Sequence, residues 1–360
     1  MISNRKNIYL DKVSRKHLLL GAVILLAAFF SFWKSGKHSL YEWDESRYGM
    51  IAYQMIQHHD FINYYFLDEI DPTVYKPPLS FWAIAGSYKI FGANEFALRF
   101  PSSIATILFF IFFFLWICIY KSEITAMLAC LILLGVKGII GTHIGRTGDT
   151  EAMLICFQMI SVYFFSCYID KNKNSAIVYS GIFTALAFLT KGIAGLFFLP
   201  ALLIYCLIRK KIMTVFHDKY FWYSVFTFLL IISIWVILII NFGDVNFLKK
   251  MFSVDVVGRI MKKENTNFYY RNDPWFIFPA LDILFNLWNY LFFTSILIFV
   301  LLKIKNRKKI YTPDEHILWI CFSIILSLSI ILTVAKTSAE WYFSSLVPFC
   351  AIVTIVQMDG

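Results

Sequence analysis

Apolar residues run along this chain in long, nearly unbroken stretches, and polar residues collect between them. Stretches long enough to cross a bilayer as helices lie at 18–33, 96–119, 124–142, 150–169, 175–190, 192–208, 221–241, 275–302, 315–335 and 341–358, some of them short. One more apolar stretch, 79–91, is too short and too interrupted to cross comfortably, and reads as a helix lying in the interface. The pattern predicts an all-α fold, a polytopic membrane helical bundle of about ten transmembrane helices with amphipathic interfacial helices in the first external loop. No inverted repeat or Pro/Gly-rich linker divides it, so residues 1–360 read as a single membrane domain.

Composition agrees. The chain is 59% hydrophobic and 16% charged with a mean hydropathy of +0.67, against about a quarter charged in soluble domains, which excludes a soluble multi-domain protein. The net charge of +10 invites a nucleic-acid partner, but the cations sit in short loops between apolar stretches, which is a topology signal. All seven cysteines fall inside apolar stretches without a Cys-x-x-Cys pair, so neither a disulfide framework nor a thiolate metal site is expected. The basic N-terminus leads into the first stretch with no small-residue cleavage site, which predicts an uncleaved first helix.

Loop charges set the sides. With the N-terminus inside, the internal segments are 1–17, 120–123, 170–174, 209–220 and 303–314; four of the five are net basic and 120–123 is neutral, the bias that the positive-inside rule expects. The loops 34–95, 143–149, 190–191, 242–274 and 336–340 are then external. Two of these are long, the catalytic candidate 34–95 and a second at 242–274.

The external loops hold the residues suited to chemistry. Asp44 and Glu45 are adjacent acids, costly near hydrocarbon unless solvated, paired or used. Lys76 precedes Pro77-Pro78, which forbid helix and set an extended lead into 79–91. There Lys76 either snorkels or meets a lipid phosphate. Asp149 either caps the helix that follows or joins Asp44 in a site. Lys191, wedged between two short apolar stretches, is better explained by a phosphate partner than by solvent. Arg259 and Lys262, three residues apart, share a helical face that is either functional or solvated, and Lys336 precedes the last stretch. Two acidic sites and several cations beside lipid suit attack of a hydroxyl on a phosphate-activated carbon, with a carboxylate as base and cations on the departing phosphate. No nucleotide-cradling Gly-rich loop is present, so the donor is expected to be lipid-linked. A non-catalytic transporter or flippase of lipid-linked sugar is the alternative. It calls for ionisable residues within spans, and Lys137 is the main one. An O-acyltransferase lacks a persuasive nucleophile, and His58-His59 read as surface residues.

At these residues the sequence resembles the polyprenyl-phosphate-dependent glycosyltransferases of the C superfamily. It is most similar to the lipid A aminoarabinose transferases, with protein O-mannosyltransferases more distant. The matching words, in family order over roughly 18–350, are Asp44-Glu45 with Arg47-Tyr48, Lys76-Pro77-Pro78-Leu79 with Phe81-Trp82, and Phe91 to Ser102. Then come Asp149, Leu189-Thr190-Lys191-Gly192, Pro274-Trp275-Phe276 and the Lys336 segment. The resemblance implies Asp44 as catalytic base with Glu45 beside it, Asp149 as a second acid, and Lys76, Lys191 and Lys336 holding the donor phosphate, to which Arg259 is added. It implies an undecaprenyl-phosphate sugar donor and transfer with inversion to lipid A, lipopolysaccharide or another glycan acceptor at the periplasmic face of the inner membrane. Membrane lipids are the other partners, and nucleic acid is not one. No cofactor is called for with certainty, and a divalent metal stays open. Two departures stand out: Tyr75 replaces the acid that usually precedes Lys-Pro-Pro, and the chain ends at Gly360 where relatives continue, which leads us to expect either a short form or a truncated one.

Overall fold

The computed structural model describes residues 2–70, 74–141, 143–253, 274–306, 315–335 and 339–356. It is a membrane helical bundle, and each of the ten apolar stretches contains helix. Six helices are individually long and apolar enough to cross a membrane. They are α1 (Ile2–Phe32), α4 (Glu95–Ile117), α7 (Glu151–Lys171), α8 (Ala176–Lys191, counted with the 3-10 segment that carries it on to Leu196), α11 (Lys219–Phe242) and α15 (His316–Val334). The others differ from a plain count of ten spans. The 275–302 stretch is broken into α13 (Ile277–Phe285) and α14 (Trp288–Asn306), with a bend of 118° between their apolar parts. Shorter helices α5 (Glu123–Leu134), α9 (Leu199–Ile208) and α16 (Val347–Val356) occupy parts of their stretches. The long 34–95 segment is more ordered than the sequence suggested. It carries α2 (Asp44–Gln57), a two-residue hairpin pairing Tyr65 with Ile70, and the expected α3 (Leu79–Phe91). A four-residue helix α6 (Lys137–Ile140), the short α10 (Ile212–His217) and α12 (Val245–Phe252) complete the set.

Helix ends follow local chemistry. Gly92, at φ +79°, ends α3, and the Asn94 side chain accepts from Ala97 N at 2.9 Å to start α4. Asp218 and Asp244 cap α11 and α12 in the same way. Pro77 and Pro78 keep the backbone before α3 out of helix, so Lys76 is presented from an extended segment.

Packing sorts the helices into inner and outer. All ten residues of α16 are buried, as are most of α7, while α11 exposes Leu229, Ile234, Ile237 and Ile240 along one side. In a bilayer an apolar exterior of this kind faces acyl chains. Between α7 and α8, Ser161 reaches both Ser180 Oγ and Thr184 Oγ1 at 2.9 Å, a small polar joint that lets the backbones approach.

The bundle has two unlike poles. At one end of α4, α7 and α9, Asp170 receives the hydroxyls of Tyr120 (2.6 Å) and Tyr205 (2.9 Å) and pairs with Arg209. These residues border the basic segments assigned inside. At the opposite ends of α4, α7 and α8 lie Arg99, Glu151 and Lys191, together with the folded first loop. All seven cysteines are free, six of them buried.

Candidate active site

The site is built beside a buried ion pair. Glu45 and Arg99, 1% and 2% exposed, meet side-on, with Arg99 Nε donating to Oε1 at 2.7 Å and Nη2 to Oε2 at 2.9 Å. Glu45 also accepts from Gly148 N (2.9 Å) and Tyr41 N (2.8 Å), so each of its oxygens takes two donors. The rest of the Arg99 fork donates to the carbonyls of Ser35, His38 and Ser39. The ion pair thus ties three segments to α4: Arg99 holds the stretch after α1 and the start of α2, and Glu45 holds the 143–149 loop through Gly148 N. Glu45, which the sequence placed with Asp44 in the site, has both carboxylate oxygens engaged in this junction.

Asp44 is different. It opens α2, is 43% exposed, and faces Lys76 with Nζ 3.4 Å from Oδ2. Lys76 also donates to the Tyr48 hydroxyl and lies over that ring at 4.6 Å. Burial favours a neutral Asp44, yet the charges of Lys76, Lys191 and His143 outweigh it and hold the carboxyl below its usual range. Burial likewise works against the Lys76 cation, and Asp44, Glu151 and Asp149 reverse it, so this lysine stays charged at every ordinary pH.

Asp149 does not cap a helix. The N-cap of α7 is Thr150, which makes no side-chain capping bond, and Asp149 turns instead to the Thr147 hydroxyl at 2.6 Å and His143 Nδ1 at 3.3 Å. Its Oδ1 is buried without a hydrogen-bond partner among the described residues. Burial first, and then the Glu151 charge, raise the Asp149 pKa against the pull of His143 and Thr147. The bond to Asp149 raises that of His143 despite burial, with Asp149, Glu151 and Asp44 adding to it. His143 sits at φ +63° and stacks on Trp341 with ring centroids 4.3 Å apart. A non-glycine residue in that region of backbone space is uncommon.

Lys191, the last residue of α8, pairs with Glu151, the first of α7, and lies 4.5 Å over the Tyr342 ring. Lys76, Lys191, Glu151 and Tyr342 together form the polar end of a cavity of about 380 Å³ whose remaining wall is mostly apolar, including Leu154, Phe197 and Leu328. A second cavity of about 440 Å³ shares Trp341 with the first, and Lys137, Arg146, His38 and Glu340 give it a polar lining. Lys137, the cation that favoured a transporter, therefore opens onto this second cavity.

Lys336 and Arg259 lie outside the described residues, as do 254–273 of the second long external loop. Among the described residues no group of three or more His, Cys, Asp or Glu side chains is arranged to hold a metal ion. Sequence reasoning missed Glu151, His143 and Trp341. Glu151 looked like an ordinary acid in a first helical turn, and its partner Lys191 lies 40 residues away. Arg99 stood inside a recognised word, but without a role.

Residues 75–238 match the family described as dolichyl-phosphate-mannose-protein mannosyltransferase. An uncharacterized protein of Aquifex aeolicus is 28% identical over 94% of this chain and 63% of its own length. The undecaprenyl phosphate-alpha-4-amino-4-deoxy-L-arabinose arabinosyl transferase of Yersinia pestis is 29% identical over 49% of this chain and 32% of its own. The chain thus spans less than two thirds of either relative. Among solved structures, ArnT from Cupriavidus metallidurans bound to undecaprenyl phosphate superposes with a TM-score of 0.75 at 18% identity, covering 95% of this chain and 60% of that one. The archaeal oligosaccharyltransferase AglB from Archaeoglobus fulgidus gives 0.54 at 13% identity, covering 95% and 50%. This membrane protein therefore shares its fold with ArnT and, more loosely, with AglB, and over residues 75–238 it is similar to the dolichyl-phosphate-mannose-protein mannosyltransferase family.

Proposed function

We propose that this protein is an inner-membrane glycosyltransferase that moves a sugar from a polyprenyl phosphate, undecaprenyl phosphate in bacteria, to a lipid A, lipopolysaccharide or other glycan acceptor at the periplasmic face. The observation that carries the proposal is the apolar cavity ending at Lys76 and Lys191. A groove that takes acyl chain and ends in two ammonium groups fits a lipid phosphate, because each lysine is a strong point charge for a phosphate oxygen. The basic loops at the opposite pole support placing this end outside.

In this reading the acceptor hydroxyl attacks the anomeric carbon from the face opposite the phosphate. Its proton passes to Asp44, the new C–O bond forms, and the bond from carbon to phosphate oxygen breaks with inversion. Lys76 and Lys191 hold the charge that develops on the leaving phosphate. Asp44 suits the base because its neighbours keep it ionised at neutral pH, and binding of phosphate at Lys76 loosens its ion pair. Asp149 and His143 sit beside it as a second acid and its partner. The polar cavity across Trp341 supplies the approach for the acceptor head group. A flippase that only binds lipid-linked sugar has no use for a base there.

Transfer from a synthetic undecaprenyl-phosphate sugar to lipopolysaccharide, assayed with the full chain in detergent, tests the proposal. Lys76→Ala is expected to lower kcat/KM by about a hundredfold or more, the scale of a charge-assisted contact of about 3 kcal/mol. Asp44→Asn is expected to lower kcat with little change in KM. If both variants turn over like the wild type, the assignment is wrong.

A further inference from the structure

Glu151 takes no part in the reaction just described, yet it occupies the polar end of the lipid cavity, is 6% exposed and pairs with one of the two lysines there. Its other oxygen accepts from the hydroxyl of its sequence neighbour Thr150, at 3.0 Å. Lys191 is 10% exposed and has the Tyr342 ring on one side and Glu151 on another. A lipid phosphate that reaches Lys191 must therefore compete with a carboxylate fixed in the same cavity.

We propose that Glu151 is an internal competitor for the phosphate: it yields Lys191 to the incoming lipid phosphate and takes it back as the spent carrier leaves. This rests on the reading of the cavity as a polyprenyl-phosphate site. The reason lies in charge. In the sugar donor the phosphate is a diester with one negative charge. When its bond to the sugar breaks it becomes a monoester, carrying about 1.5–2 negative charges near neutral pH. Two lysines alone would hold the spent carrier more tightly than the donor, and turnover would stall on release. A fixed carboxylate repels both in proportion to their charge, so it weakens the spent carrier more than the donor. Glu151 also stands close enough to raise Lys76 and Asp149 electrostatically, so its influence reaches both lysines. It is a positioning residue, acting through Lys191 rather than on the reacting atoms.

The test is equilibrium binding and dissociation of undecaprenyl phosphate and of an undecaprenyl-phosphate sugar, on the full chain in detergent, with thermal unfolding run alongside. Glu151→Gln is expected to bind undecaprenyl phosphate about tenfold more tightly and release it correspondingly more slowly, with a smaller gain for the sugar conjugate. Glu151→Asp keeps the charge and should keep the wild-type ratio of the two affinities. Lys191→Met should weaken both ligands. Binding by Glu151→Gln that is unchanged or weaker would mean that Glu151 merely holds Lys191 in place, and would overturn the proposal. So would a ratio that moves as far in Glu151→Asp as in Glu151→Gln. Failure of the wild type to bind either lipid, or of Lys191→Met to weaken them, would instead bring down the lipid-phosphate reading itself, and the competition with it.

Discussion

Replacing Glu45 by Gln changes one atom in a buried junction and should nevertheless unsettle the whole outer pole. Each Glu45 oxygen accepts two donors: Arg99 Nε and Gly148 N on Oε1, Arg99 Nη2 and Tyr41 N on Oε2. An amide has one accepting end and one donating end. Whichever way it turns, its NH₂ faces two N–H groups, and the Arg99 charge loses its counter-ion. Breaking a buried ion pair from one side costs about 3–5 kcal/mol. Arg99 keeps the carbonyls of Ser35, His38 and Ser39, which points to the lower end, about 3 kcal/mol. With an unfolding entropy of about 0.75 kcal/mol/K for a chain of 360 residues, thermal unfolding in detergent should move down by about 4 °C. Removing both charges, as Glu45→Leu with Arg99→Met, should recover part of the loss, since the desolvation cost goes with them. Undecaprenyl-phosphate affinity should fall in Glu45→Gln as well, because the same junction sets the start of α2, and hence Asp44 and its contact with Lys76. A Tm within about 1 °C of the wild type would refute the claim that this pair fixes the pole.

Two further outcomes follow from other parts of the fold. His143 is held above its ordinary pKa by Asp149, so its contribution to stability is complete below pH 6.5 and fades as pH rises through its folded pKa; the Tm gap between wild type and His143→Gln should be widest in acid and shrink in alkali, and a gap that widens toward alkali would reverse the sign. A Cβ at Gly195 would lie 2.4 Å from the backbone carbon of Ala187, which cannot move aside, so Gly195→Ala should cost about 1–3 kcal/mol in thermal unfolding by forcing the segment that carries Ala194 off α8.

How much of this was legible depends on the distance over which each signal acts. The helices at 95–117, 151–171 and 219–242 follow from unbroken apolar stretches, and α3 from its double proline and terminal glycine. Lys76 and Lys191 were found one by one as cations with no reason to sit near lipid, and they line one cavity. Helix α2 was not read, because its buried face, with Tyr48, Ile51, Ala52 and Met55, is broken up by the half-buried Arg47 and the exposed Met50 and Tyr53. Asp149 was ambiguous for a local reason: an acid before a helix looks the same whether it caps the helix or binds a histidine. The bend between α13 and α14 falls at Asn286, at φ +55°, inside a stretch that reads as continuously apolar.

By itself the sequence determined the medium, the polarity of the loops and the stock of ionisable groups on one side, because burial in lipid and the bias of Lys and Arg act on each segment separately. Only the tertiary structure decided who pairs with whom. It gave Glu45 to Arg99 and left Asp44 with Lys76. It also set Glu151 against Lys191 in the lining of a largely apolar cavity. Those choices turn on partners 32 to 54 residues apart, brought together by helix packing, and no local pattern encodes a contact of that range.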